Sequence, residues 1–282
     1  SLAAPVTFVD RTVCRKGIVG SQRGTTDRTM TEATIHARIE SIWFGLAVLT
    51  FIALFFIKAP YGRHTRQGWG PVLPSHLGWF IMEAPSAILF AVYFFLGSVP
   101  TSLPLIVFFC MWEAHYLHRG FIYPLLIRNG HKKMPVMVVL MGILFNVGNT
   151  YINGRYLFNF SDGYSLGWFS DPRFIIGVGL FVAGFVTNRW ADWVLRNLRK
   201  PGETGYRIPY GGLFNLVSCP NYLGEIIEWI GWAMATWSIA GLAFAVWTFA
   251  NLAPRARSNH EWYYQKFPDY PPERKALLPG IW

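Results

Sequence analysis

The stretch PRFIIGVGLFVAGFVTNRWADWVL, residues 172–195, decides the fold class. It is apolar through most of its length and matches the roughly 20 residues an α-helix needs to cross a bilayer. Asp171-Pro172 places a capping oxygen before a proline at the first helical position, a start signal for such a helix. Towards the other end, Asn188, Asp192, Arg196 and Arg199 recur every three or four residues and share one face. The prediction is a membrane helix carrying a polar stripe at one end.

Working outward, further apolar stretches occupy 42–57, 77–96, 103–127, 135–152, 222–237 and 239–253. As one continuous helix the last two would run roughly 48 Å at about 1.5 Å per residue, well beyond a bilayer of about 30 Å. A break near Trp237-Ser238 therefore predicts an all-α integral membrane protein with a bundle of seven transmembrane helices. Composition agrees. Of 282 residues only 14% are charged, against roughly a quarter in soluble domains, while 52% are hydrophobic and mean hydropathy is +0.29. Thirteen Trp, thirteen Tyr and twenty-three Phe suit aromatic anchoring at the headgroup level. Three scattered cysteines, Cys14, Cys110 and Cys219, match neither a disulfide framework nor a zinc site, so reduced thiols and no metal are expected. Residues 1–40 read as a loosely ordered polar tail without a signal peptide's compact apolar run, and 41–282 as the helical domain.

The net charge of +10 lies in short clusters between apolar segments, which excludes a nucleic-acid face and orients the bundle. Lys58, Arg63 and Arg66, then Arg128, Lys132 and Lys133, then Arg196, Arg199, Lys200 and Arg207, and finally Arg255, Arg257, Lys266, Arg274 and Lys275 fall in alternate connections. The positive-inside rule puts these on the cytoplasmic side, with the N-terminus outside and the C-terminus cytoplasmic. Arg11, Arg15, Lys16, Arg23, Arg28 and Arg38 run against this, but most lie well before the first helix, where the rule is weak.

Charged residues at membrane depth are costly and mark functional sites by default. Glu83, Glu113, His115, Tyr116, His118, Arg119, Asn188, Asp192, Asn221, Glu225 and Glu228 all lie within or at the ends of apolar segments. Tyr116, Arg119 and Tyr123 share a face of the third helix, and Asn221, Glu225 and Glu228 one of the sixth. Taken singly, each also reads as structural: Asp192 with Arg196 as an ion pair, Glu225 or Glu228 with Arg119 as glue between helices. Three stripes at the ends bearing the basic loops predict a polar cavity open to the cytoplasm. Gly177, Gly179 and Gly184 match no dinucleotide fingerprint and read as sites of close helix approach. His64, His76, His131 and His260 read as ordinary interface residues.

The stretch LRKPGETGYRIPYGGLFNLVSCPNYLGEIIEWIGWAMATWS, residues 198–238, and the tail HEWYYQKFPDYPPERKALLPGIW, 260–282, strongly resemble the steroid 5α-reductase family. So do AHYLHRGFIYPLL around Tyr116 and KAPYGRHT around Tyr61, so the likeness covers roughly 42–282. It implies a seven-helix membrane enzyme that reduces the 4,5 double bond of a 3-oxo-4-ene steroid with NADPH. By motif, Glu83 and Tyr116 would hydrogen-bond the 3-keto oxygen, and Trp229 would pack near the reacting ends of substrate and cofactor. Tyr61 and Met82 complete the implied substrate contacts. Asn188, Asp192, Arg199, Tyr206, Asn221, Glu225, Arg255, Asn259 and Tyr263 would line the cofactor cavity, with Arg119 and Tyr123 beside it. Hydride addition to an enone builds negative charge on the carbonyl oxygen, where aimed donors stabilise the transition state more than the ground state. Tyr116 donates directly; Glu83 helps only as the protonated acid or through a shared proton, which burial favours. The cofactor's phosphates require cations such as the cytoplasmic-side arginines.

Two positions depart from the family pattern. Met82 stands where the mammalian steroid enzymes have a glutamine that helps hold the keto group, so one hydrogen bond is missing there; this bears on substrate preference rather than reaction type. Asn259 stands where a histidine is usual. The partners implied are a small steroid and the lipid bilayer, with no nucleic acid, for a monomer in the bacterial inner membrane or the endoplasmic reticulum. Within the family a polyprenal or a 2-enoyl thioester is an alternative substrate. Glu261, Tyr263 and Tyr270 also resemble membrane methyltransferases using S-adenosylmethionine, which would not need Glu83 and Tyr116. A sterol-binding receptor or transporter would leave the polar stripes without a reason.

Overall fold

The computed structural model describes residues 22–58, 64, 68–127, 133–199, 203 and 205–282. Two compact units, Ser1–Ile39 and Glu40–Trp282, make up the chain. Helix α1 is Gln22–Phe56, so helix begins ahead of the first apolar stretch and takes in much of the expected tail. Helix α2 is Ser75–Phe95, and α3, Leu103–Leu117, runs through a π-helical turn at His118–Ile122 into the single-turn α4, Tyr123–Leu126. Then come α5 (Val136–Arg155), α6 (Pro172–Asn197), α7 (Pro220–Thr236) and α8 (Ile239–Lys266).

The protein is an all-α membrane protein, with one small strand ribbon among the described residues. Among the described residues, four helical segments are long and apolar enough to cross a bilayer: Glu32–Phe56, Ser75–Phe95, Val136–Phe160 and Pro172–Asn197. The other three expected spans fall outside that class for local reasons. The π-helical turn interrupts the third, α7 has 17 residues, and α8 extends past its apolar half through Pro254 to the charged residues ending at Lys266.

Helix boundaries follow the local signals closely. The Asp171 carboxylate accepts from the Arg173 backbone N–H at 2.8 Å, ahead of Pro172. The break at Trp237-Ser238 is real: Trp237 has φ of 45°, in the left-handed region, and Ser238 Oγ accepts from Gly241 N at 2.9 Å to open α8. Helix α7 likewise starts at a proline, Pro220, but Cys219 and Ser218 before it give no side-chain cap. Ser218 instead hydrogen-bonds His260 and Tyr270.

The strand ribbon is the element the apolar periodicity does not show. Strand β1, Val72–Pro74, pairs antiparallel with β2, Lys133–Pro135, with Leu73 opposite Met134. Each strand ends in a proline, which fixes φ and leads straight into a helix, α2 after Pro74 and α5 after Pro135. Helices α2 and α5 then run side by side in the same direction: a Cβ on Gly78 would meet Val139 at 3.3 Å, on Gly142 Met82 at 2.9 Å and on Gly154 Tyr93 at 2.7 Å.

Helices α6 and α7 make the closest contact, antiparallel and backbone to backbone. A methyl group on Gly177 would sit 2.3 Å from the Ala235 nitrogen, and on Gly184 2.3 Å from the Glu228 nitrogen. One on Gly224 would meet the Asn188 nitrogen at 2.6 Å, and on Gly231 the Phe181 nitrogen at 2.3 Å. The expected close approach thus holds for Gly177 and Gly184 but not for Gly179, whose Cβ would meet nothing within 4 Å. Lipid gives no hydrophobic drive between helices, so such small-residue packing, with dispersion and hydrogen bonds, holds the bundle. The rest of the core is aromatic: Phe90 stacks on Trp112 at 4.3 Å, and Trp112, Trp229 and Trp232 are fully buried.

Replacing Gly184 or Gly224 with Ala should force α6 and α7 apart and cost about 1–3 kcal/mol, lowering the melting temperature in detergent. Gly179→Ala should leave it unchanged or slightly raised, and equal losses at all three positions would contradict the packing described.

Candidate active site

The polar stripes meet. Arg119, carried on the π-helical turn after α3, bridges two helices: its Nε lies 3.9 Å from Glu83 Oε1 on α2 and its Nη1 lies 3.6 Å from Asp192 Oδ2 on α6. The wider π turn offsets Arg119 from the straight helical path, a distortion that often occurs at functional sites. Its guanidinium also lies over Trp79 at 4.4 Å and Tyr123 at 4.9 Å, which holds the cation where water is scarce.

From Asp192 the network crosses to the start of α7. Asn221 Nδ2 donates to Asp192 Oδ1 at 3.2 Å, while the fully buried Asn188 donates to Asn221 O at 2.8 Å and Glu225 Oε2 at 3.2 Å. Next to Asn221, the Tyr222 hydroxyl accepts from Arg255 at 3.3 Å and Asn259 at 3.4 Å, so α7 links the α6 stripe to α8. Arg199 donates to Gly205 O at 2.9 Å and lies over Tyr206, and Tyr206 meets Trp262 edge-on at 4.8 Å. Tyr263 is buried and stacks on Tyr270 at 5.0 Å.

Beneath the stripes lie the residues expected to meet substrate. Tyr116 is buried beside Ser86, and its ring centroid lies 6.0 Å from that of Trp229. The Glu83 side chain is 13% exposed, close to the 15% of Arg119. Met82 turns into apolar packing between α2 and α5, where a methyl group on Gly142 would meet its Sδ at 2.9 Å. Tyr61 lies outside the described residues.

Several contacts were not foreseen. Glu228 pairs with His115, Oε1 to Nδ1 at 2.8 Å, rather than with Arg119. Arg189, which the spacing rule passes over because it adjoins Asn188 in sequence, hydrogen-bonds both Asn188 and His118. A charge inside a spanning helix is the signal that could have found it. His64 meets Asn259 at 3.2 Å, so this histidine belongs to the network. Asn146 on α5, an uncharged residue in an apolar run, donates to Glu83 Oε2 at 3.1 Å.

Known proteins are similar to this chain over most of its length. A family model described as 3-oxo-5-alpha-steroid 4-dehydrogenase matches residues 132–282. 3-oxo-5-alpha-steroid 4-dehydrogenase 1 of Bos taurus is 42% identical over 241 residues, 84% of this chain and 93% of its own length. The chain belongs to the steroid 5α-reductase family. Steroid 5-alpha-reductase DET2 of Gossypium hirsutum is 46% identical over 247 residues, again 84% and 93% of the two chains. The Homo sapiens 3-oxo-5-alpha-steroid 4-dehydrogenase 1 is 45% identical over 223 residues, covering 78% and 85%.

In this steroid 5α-reductase family member, the C-terminal tail is fastened beside the α7 start. Ser218 Oγ lies 2.6 Å from His260 Nδ1 and 2.7 Å from the Tyr270 hydroxyl, and buried Arg274 donates to Pro209 O at 2.9 Å. Burial holds the His260 imidazole's pKa below its ordinary value of 6.5, and Lys275 adds to the effect against the opposing pull of Glu261. The unfolded chain therefore takes up a proton at His260 that the folded chain resists, and stability falls as pH drops below about 6.5. The melting temperature should be lower at pH 5.5 than at pH 7.5, with a smaller difference in His260→Gln. An unchanged difference in that variant would remove His260 as a source of the pH dependence.

Proposed function

We propose that this protein reduces the 4,5 double bond of 3-oxo-4-ene steroids to 5α-3-oxosteroids, as an oxidoreductase acting on CH–CH groups. Membership of the family over most of the chain carries this reading. The proposed cofactor is NADPH, which when bound supplies the hydride that adds to the β-carbon.

The polar network fits a phosphate- and amide-bearing cofactor in its chemistry. It offers both donors and acceptors, and two of its buried atoms, Asp192 Oδ2 and Arg189 Nε, have no hydrogen-bond partner. Buried polar atoms left so are costly without a ligand or water to meet them. Asn188, Asp192, Asn221 and Glu225 would take the cofactor's hydroxyl and amide groups. Arg199, Tyr206, Arg255, Asn259 and Tyr263 would meet its phosphates and base, with Arg119 and Tyr123 flanking.

The chain's own chemistry is electrostatic. Tyr116 and a protonated Glu83 donate to the 3-keto oxygen, where charge builds as the enone becomes an enolate. The α-carbon then takes a proton from solvent. Trp229 and the aromatic core around it keep water from the reacting end. Arg119, bound to both Glu83 and Asp192, couples the position of the acid to that of the cofactor stripe.

The wider arrangement follows the same reading. α1, α2, α3 with α4, α5, α6, α7 and the first half of α8 make seven spans, with the N-terminus outside, the tail cytoplasmic and the cofactor site open to the cytoplasm. The catalytic domain is 41–282 and the protein acts as a monomer.

Purified protein in detergent should oxidise NADPH with progesterone or testosterone, followed by loss of nicotinamide absorbance. Activity only with a polyprenal or an enoyl thioester would reassign the substrate, and binding of S-adenosylmethionine without NADPH oxidation would end the reductase reading. Glu83→Gln and Tyr116→Phe should each lower turnover by about one to three orders of magnitude while NADPH binding stays nearly intact. Equal loss of cofactor binding would assign these residues to holding the bundle.

A further inference from the structure

Polar side chains on α5 are out of place in an apolar span. Asn146, Asn149, Thr150 and Asn153 are all buried there, and Ser86 faces them from α2. Within a membrane each costs free energy unless paired. Asn146 is engaged at both ends of its amide. Its Nδ2 donates to Met82 O at 2.5 Å and to Glu83 Oε2 at 3.1 Å, and its Oδ1 accepts from Ser86 Oγ at 3.2 Å.

This set of partners fixes which way the amide points. A backbone carbonyl only accepts, so the atom facing Met82 O must be the nitrogen, and its second hydrogen then points at Glu83. Ser86 is held in turn by Thr150 at 2.8 Å. Further along α5, Trp232 Nε1 donates to Asn153 Oδ1 at 2.9 Å, tying the same helix to α7.

We infer that Asn146 is a positioning residue for the Glu83 carboxyl, a role that rests on the assignment of Glu83 as the acid at the keto oxygen. The amide donor keeps Oε2 as the accepting oxygen of the neutral acid, so the proton resides on Oε1. Arg119 lies 3.9 Å from Oε1, too far for a hydrogen bond, which leaves that oxygen free to donate to a substrate carbonyl. The Met82 side chain offers no donor to the acid, and the holding donor comes from the facing helix. Glu83 and Asn146 lie roughly 12 and 15 Å into α2 and α5, which pack side by side in the same direction, with Gly142 against Met82.

The test is a double-mutant cycle in the full-length protein with NADPH and progesterone. Asn146→Leu keeps the volume in an apolar surrounding, and Asn146→Ala serves as a second variant. Each should lower kcat by about 10- to 100-fold, as misplacement of a reacting group does. The KM and the directly measured fluorescence titration for NADPH should not change. Adding Asn146→Leu to Glu83→Gln should cost less than twofold beyond Glu83→Gln alone, because there is no acid left to position. Multiplicative losses, kcat within twofold of the parent in both Asn146 variants, or loss of NADPH binding alongside turnover would overturn the inference and leave Asn146 a packing residue. Parent-like kcat in Glu83→Gln would instead sink the assignment of Glu83 itself, and the inference with it.

Discussion

Backbone contact between α6 and α7 is the constraint on which the site depends. Gly177 and Gly184 on one helix face Gly231 and Gly224 on the other, and no side chain larger than hydrogen fits at these points. That approach brings Asn188 within reach of both Asn221 O and Glu225 Oε2, and Asp192 within reach of Asn221. At an ordinary interhelical distance of 8–10 Å, these short side chains would not meet. The glycines and the polar stripe thus belong to one design, although they lie on different residues.

A second constraint is the cost of charge at depth. Several ionisable groups at this depth take their partners across helices: Arg119 faces Glu83 and Asp192, Glu228 meets His115, and Arg189 donates to the ring nitrogen of His118. Pairing across helices spends the polar groups on fixing the relative positions of α2, α3, α6 and α7. Arg119 is the hub because the π turn brings it between α2 and α6. A shift of α2 against α6 would separate Glu83 or Asp192 from it, so the acid proposed to meet the substrate and the stripe proposed to meet the cofactor move as one body.

Much was legible locally. The Asp171-Pro172 start and the break at Trp237 depend on residues a few positions apart, and each appears in the structure, as do four of the seven apolar runs as helices long enough to cross a bilayer. What the spacing missed had long-range causes. Ser218 resembles a cap but turns to His260 and Tyr270, because the tail returns to that point through the pairing of Val217 with Lys275. Asn146 and Ser86 carry no charge and break no periodicity, so nothing in their own helices marks them.

By itself the sequence determined an apolar helical chain with its polar residues gathered on particular faces and a basic, aromatic-rich tail, and its resemblance pointed to the family. Those properties are set by neighbours in the chain and by composition. The tertiary structure decided which partner each polar residue takes: Glu228 with His115 and not Arg119, Asn259 with His64, Asn146 with Glu83. The reason is geometric. Depth along a helix follows from local counting, but which depths face each other is set by the close glycine contacts between helices, made by residues far apart in sequence.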